Sequence, residues 1–77
     1  MDTKSKVLEI LREIKPTRDL SDVTDIMESG YIDSFELMSL IMALNDTFGI
    51  DISVDDMTLE NFNSVDAIAA LVDRLTA

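Results

Sequence analysis

The sequence predicts a small all-α protein: a four-helix bundle of three main helices and one short helix, with a long first loop. Three observations lead there. Apolar residues recur at helical spacing in three separate stretches. Each stretch is bounded by residues that start or stop helices. Only Ile50-Asp51-Ile52-Ser53-Val54 alternates like a strand, and a lone strand of that length has nothing to pair with.

The first helix is predicted over residues 3–15. Val7, Leu8, Leu11 and Ile14 make its apolar face, and Lys4, Lys6, Glu9, Arg12 and Glu13 fill the rest. Pro16 stops it, because the residue before a proline disfavours helical geometry. Residues 16–33 lose the period. They mix Asp19, Ser21, Asp22, Thr24, Asp25, Ser29 and Gly30 with scattered Leu20, Val23, Ile26, Met27 and Ile32. A loop this long is functional or disordered more often than not, and its apolar residues predict one pinned to the core, with a short turn near residues 21–25. The second helix is predicted over residues 34–48. Asp33 and Glu36 form a capping-box pair at its start, and Gly49 ends it. Between Leu37 and Leu44 it is apolar around nearly its whole circumference, Ser39 excepted. It is therefore either central to the bundle or left open on one side for a partner. Residues 50–54 are expected as an extended connection with Ile50 and Val54 docked and Ile52 outward. A short helix is expected over residues 55–61. Ser64 then caps a last helix to residue 75, with Val65, Ile68, Leu71, Val72 and Leu75 inward.

Composition limits the chemistry. A chain of 77 residues makes one small domain that buries only roughly 60% of its unfolded surface, so one domain is expected over residues 1–77. There is no cysteine and no histidine, which removes disulfides, thiolate metal sites and the commonest general base. Residues 1–18 carry five basic and three acidic side chains, and residues 19–77 one basic and thirteen acidic, for a net charge of −10. Such a field repels nucleic acid and anionic lipid and attracts basic protein patches. Residues 1–6 lack the apolar block of a signal peptide. Apolar runs such as residues 40–44 fall far short of the roughly 20 residues a membrane span needs. A soluble, cytoplasmic, monomeric protein is expected, with no nucleic-acid binding and no membrane insertion.

An acidic chain invites a calcium reading, but the EF-hand loop needs glycine at its sixth position and glutamate at its twelfth. Counting from Asp19 these are Thr24 and Gly30, and from Asp51 they are Asp56 and Phe62, so neither loop fits. No hydrolase motif is present, and no histidine can activate a serine. Asp55 and Asp56 read as partners of a helix dipole rather than as a catalytic pair. The chain is not expected to be an enzyme. Ser34 remains. It lies where a polar loop becomes an apolar helix, beside open N–H groups and the positive end of the helix dipole, a favourable place for a phosphate ester. Capping alone also explains a serine there.

Gly30-Tyr31-Ile32-Asp33-Ser34-Phe35-Glu36-Leu37, followed by Leu40-Ile41-Met42-Ala43-Leu44 and Phe48-Gly49-Ile50-Asp51-Ile52, resembles the acyl carrier protein family along essentially the whole chain. That family includes fatty-acid, polyketide, peptidyl and D-alanyl carriers. The resemblance implies that the Ser34 hydroxyl is esterified by 4′-phosphopantetheine, which a phosphopantetheinyl transferase takes from coenzyme A. The terminal thiol of that arm would carry acyl or aminoacyl groups as thioesters, delivered by loading and processing enzymes. Asp33 matches the motif aspartate expected to aid transferase recognition. The implied partner surface is Phe35, Glu36, Met38, Met42, Ile52, Asp55 and Asp56. Two departures stand out. Phe35 replaces the usual leucine. The second helix keeps only Glu36 and Asp46 as acids, where many fatty-acid carriers place several to dock basic enzymes. The implied function is a free-standing carrier for fatty-acid, polyketide or related specialised synthesis, with a peptidyl or D-alanyl carrier as the alternative. An unmodified acidic interaction module is the alternative from a different class.

Overall fold

The computed structural model describes residues 2–76. Its helices are α1 (Thr3–Ile14), α2 (Ser34–Phe48), α3 (Leu59–Phe62) and α4 (Val65–Thr76), with a 3₁₀ turn at Val54–Asp56 between α2 and α3. No strand occurs among the described residues. α1 packs against both α4 and α2, α3 lies on α4, and α2 meets α4 less extensively.

α1 starts where the Asp2 carboxylate accepts the Ser5 N–H at 2.8 Å. It ends where the Lys15 N–H donates to the Leu11 carbonyl, with Pro16 behind. Its buried face is Val7, Ile10 and Leu11, while Leu8 and Ile14 sit at the margin. The face is thus turned toward Ile10 relative to the stripe read from spacing, because α1 has a neighbour on each side.

The long loop is pinned, as its apolar residues predict: Leu20, Ile26 and Ile32 are all buried. Apolar anchoring alone does not fix its backbone. Asn63, at the junction of α3 and α4, accepts the Ile26 N–H on its carbonyl at 2.9 Å. Its side-chain oxygen accepts the Met27 and Glu28 N–H groups at 3.0 and 3.3 Å. Its amide donates to the Glu28 carboxylate at 2.9 Å. Beyond the clamp, Gly30 takes a left-handed conformation (φ 73°), and the Tyr31 N–H closes back onto the Ile26 carbonyl at 3.0 Å.

α2 resolves both readings of its greasy circumference. Leu40, Ile41 and Leu44 are buried in the core, while Phe35, Met38 and Met42 are exposed. Gly49 ends the helix at φ 65° with its N–H on the Asn45 carbonyl, a left-handed position that a side chain would strain.

The connection after α2 corrects the sequence expectation. Ile52 is buried at 5% exposure, and Val54 is open at 81%. Extended backbone repeats every two residues, so Ile50 and Ile52 share one side, and Ile50 packs against the core. Asn45 holds this register, its side-chain oxygen accepting the Ile52 N–H at 2.9 Å and its carbonyl the Ile50 N–H at 3.2 Å. The 3₁₀ turn then carries Val54 outward. The single short helix expected over residues 55–61 is also two pieces. The Asp56 carboxylate folds back onto the Ser53 N–H and hydroxyl, closing the turn, and Thr58 caps a fresh helix by accepting the Asn61 N–H. The Asn61 amide ties the pieces by donating to the Asp56 carbonyl at 2.8 Å.

At α4 the Ser64 hydroxyl accepts the Ala67 N–H at 3.0 Å, as a cap should. Val65, Ile68, Ala69, Leu71 and Val72 are buried. Leu75, placed inward by spacing, is exposed at the end of the helix, while Ala69 joins the core. Among the described residues, Phe62 is the one aromatic in an otherwise aliphatic buried core. Each fully buried side chain of this kind contributes about 1.5–3 kcal/mol.

Two outcomes follow from this packing. Ile52→Ala should cost about 2–4 kcal/mol of stability in urea unfolding, whereas Val54→Ala should stay within about 0.5 kcal/mol of wild type. Asn63→Ala should destabilise by about 1–2 kcal/mol and accelerate amide exchange at Met27 and Glu28. Ile26 should keep more of its protection, because its acceptor is a backbone carbonyl.

Candidate functional site

At the start of α2, one residue caps and the next is left open. Asp33 is the cap: its carboxylate accepts the Glu36 N–H at 2.8 Å, and the Glu36 carboxylate accepts the Asp33 N–H at 3.1 Å. Ser34 is the first residue of the helix proper and is exposed. The capping function that could have explained a serine here is therefore performed by its neighbour. A helix leaves four N–H groups without intrahelical partners, and the box takes those of Asp33 and Glu36. The N–H groups of Ser34 and Phe35 have no acceptor among the described residues. They flank the Ser34 hydroxyl at the positive end of a 15-residue helix. A phosphodiester on that hydroxyl would find two free donors and a favourable dipole, so the residues fit such a group.

Behind this turn, the Lys15 ammonium at the end of α1 lies 3.4 Å from both Glu36 carboxylate oxygens. On the loop side, the Arg18 guanidinium stacks on the Tyr31 ring at 4.8 Å, three residues before Ser34.

The residues expected around Ser34 separate into three groups. Phe35, Met38 and Met42 are exposed at 82%, 50% and 68%. Met38 and Met42 follow Ser34 by one and two helical turns, on its side of α2. Asp55 is exposed as well. Glu36 and Asp56 are partly buried and engaged in the capping box and the 3₁₀ turn. Ile52 leaves this surface altogether, since its side chain is in the core. Val54 and Leu59, at 81% and 52% exposure, are additional exposed apolar residues that the sequence reading missed. A two-residue period from Ile50 would turn Val54 inward with Ile52. The 3₁₀ turn that begins at Val54 carries it outward, and neither that turn nor the one that exposes Leu59 left a signal in the sequence.

An apolar cleft of about 120 Å³ opens beside the turn, lined by Met27, Leu37, Met57, Thr58, Leu59 and Phe62. Leu37 lies one helical turn after Ser34. A larger groove of about 400 Å³ runs between α1 and α2, lined by Lys6, Glu9, Ile10, Glu13, Ala43, Asp46 and Thr47. Ala43 is half a revolution around α2 from Ser34, given 3.6 residues per turn, so this groove lies on another side of the helix. Among the described residues, no group of three or more acidic, histidine or cysteine side chains is placed to hold a metal ion. No helix among them is long and apolar enough to cross a membrane.

A family model described as the phosphopantetheine attachment site matches residues 5–72. The D-alanyl carrier protein of Lactobacillus acidophilus is 35% identical over 77 residues, covering 97% of this chain and 96% of that protein. The D-alanyl carrier protein of Lactobacillus helveticus is 34% identical with the same coverage. That of Staphylococcus saprophyticus is 26% identical, covering 97% of this chain and 99% of its own. With the family model matched over most of its length and relatives above 30% identity along nearly all of it, this chain belongs to the phosphopantetheine-binding carrier proteins, non-catalytic carriers that bear 4′-phosphopantetheine covalently.

Proposed function

We propose that this protein is a free-standing D-alanyl carrier whose 4′-phosphopantetheine is attached at Ser34. The observation that carries the cargo is the identity of the relatives: the proteins it matches along nearly their full length are D-alanyl carriers. Of the two readings of the sequence, the aminoacyl alternative therefore gains support, and fatty-acid or polyketide synthesis gains none. An unmodified interaction module loses its basis, because the matched family is defined by an attachment site.

Two features of the site agree. α2 holds few acids for a basic docking enzyme: Glu36 is paired with Lys15, and Asp46 lines the groove on the α1 side. The cleft beside the turn, about 120 Å³, is well below the roughly 300 Å³ at which pockets begin to enclose drug-sized ligands. It suits a small cargo better than a long alkyl chain.

The geometry is compatible with the following roles. The Ser34 hydroxyl oxygen bonds to the phosphorus that bears the pantetheine of coenzyme A as the pyrophosphate bond to that phosphorus breaks, releasing adenosine 3′,5′-bisphosphate and the hydroxyl proton. Asp33 holds the helix start and offers the transferase an exposed carboxylate oxygen. Phe35, Met38 and Met42 give partner enzymes an apolar footing, the methionines with side chains flexible enough to fit more than one surface. When bound, the arm supplies a thiol that holds the cargo as a thioester in a chain without cysteine. The partners required are a phosphopantetheinyl transferase using coenzyme A and an enzyme that activates D-alanine with ATP. Both co-substrates place loading in the cytoplasm.

Intact-mass measurement checks each step. Incubated with coenzyme A, magnesium and a broad-specificity transferase, the chain should gain one phosphopantetheine, and Ser34→Ala should gain none while unfolding like wild type, since Asp33 retains the cap. The modified protein should then gain one alanyl group from D-alanine, ATP and a D-alanine-adenylating enzyme, and lose it to neutral hydroxylamine. A gain in Ser34→Ala would overturn the attachment point. Charging from an acyl-adenylating enzyme with long-chain fatty acids in preference to D-alanine would overturn the cargo.

A further inference from the structure

We propose that Lys15 is a positioning residue for the attachment of the phosphopantetheine group, acting on the Ser34 turn through the Glu36 carboxylate. The proposal rests on Ser34 being the attachment point. It begins from an asymmetry between the two ion pairs found among the described residues. Lys4 and Asp66 meet at 2.9 Å with side chains 50% and 79% exposed, whereas Lys15 and Glu36 are only 32% and 25% exposed. The second pair is the more enclosed, and it is placed at the site.

Both ends of that pair are held. Lys15 is the C-cap of α1, its N–H on the Leu11 carbonyl at 2.8 Å, so its side chain starts from a fixed backbone. Its ammonium lies 3.4 Å from each Glu36 oxygen. One of those oxygens also accepts the Asp33 N–H, and the Glu36 N–H donates to Asp33. A cation on α1 thus grips the side chain that closes the turn bearing Ser34.

Two consequences arise from this one contact. Without Lys15, Glu36 recovers the rotamer freedom of a long side chain, and the box opens more often. The Asp33–Ser34 backbone then frays as uncapped helix ends do. The charge balance also changes. The incoming group is an anionic phosphate, and the carboxylates of Asp33 and Glu36 lie within two residues of the hydroxyl it must reach. Lys15 offsets the charge of Glu36 where it sits, without covering Ser34.

The test uses the full chain, the same transferase and coenzyme A, with modification at Ser34 followed by mass and each variant shown to be folded at the assay temperature. Lys15→Met should lower the transferase kcat/KM about two- to fivefold, the range expected for one partly exposed ion pair. Glu36→Gln, which frees the side chain from Lys15 but also removes the charge that Lys15 offsets, should lower it by less. Glu36→Gln is informative because its side-chain oxygen can still accept the Asp33 N–H. The double variant should be no slower than either single one, as for two residues acting through one contact. Lys15→Arg should keep the wild-type rate, and Lys4→Met, which breaks the other pair, should not change it. Amide exchange at Asp33 and Glu36 in the unmodified protein should quicken in Lys15→Met. An unchanged rate in Lys15→Met would overturn the proposal. So would losses that add in the double variant, which would place Lys15 against the transferase itself, or an equal loss in Lys4→Met. A wild-type chain that takes no group at Ser34 would bring down the attachment reading, and this proposal with it.

Discussion

The rest of the site depends on the reciprocal hydrogen bonding between Asp33 and Glu36. A helix start in water leaves N–H groups that something must satisfy, and a serine at that point is usually spent on the task. Here Asp33 satisfies the Glu36 N–H and Glu36 satisfies that of Asp33, so the hydroxyl of the next residue is released. The two donors that stay open are the ones beside it. Stability and presentation therefore come from the same few atoms. The helix would be as well capped with alanine at position 34, which means that the serine hydroxyl contributes little to the fold.

A chain of this size has little core to hold irregular backbone in place, and it has no cysteine for a disulfide. Three asparagines supply the restraint. Asn63 takes the N–H groups of Ile26, Met27 and Glu28. Asn45 takes those of Ile50 and Ile52. Asn61 bridges the Asp56 carbonyl and the Arg74 side chain. Asparagine suits this use because it offers an acceptor and two donors on a short, uncharged side chain. One of these restraints bears directly on the site. Met27, Leu59 and Phe62 line the cleft near Ser34, and Asn63 fixes the strand of loop carrying Met27 against the end of α3.

What the sequence made legible was local. The ends of α1, α2 and α4 were written in Pro16, Asp33 with Glu36, Gly49 and Ser64, because caps and stops act over three or four residues. The pinned loop was legible for the same reason, through Leu20, Ile26 and Ile32. What was not legible depended on contacts distant in sequence or on phase. Asn63 binds residues 35 to 37 positions away, and nothing in its neighbourhood announces that. Asn45 carries no signal of its own in the sequence, yet its side chain is turned onto the connection that follows α2. Ile52 is inward because a period of two puts it on the side of Ile50, and Val54 is outward because the 3₁₀ turn breaks that period. The split of the short helix was hidden in Asp56, whose carboxylate closes a turn backward instead of starting a helix forward.

Charge is arranged so that solubility and recognition do not compete. The net charge of −10 sets a long-range field, but at physiological ionic strength that field is screened within about 8 Å. A docking enzyme at contact distance meets the local pattern instead. On α2 that pattern is apolar: Phe35, Met38 and Met42 are exposed, and Glu36 is already occupied by Lys15. A partner with a strongly basic surface would find few unpaired acids on α2 to meet its cations. Leaving those cations desolvated and unmatched is costly. An apolar partner surface loses nothing of the kind and gains the burial of three large side chains. On the proposed partner surface, the pairing of Glu36 within the chain would serve selection as well as the helix start, because a carboxylate bound internally is one that a basic competitor cannot use.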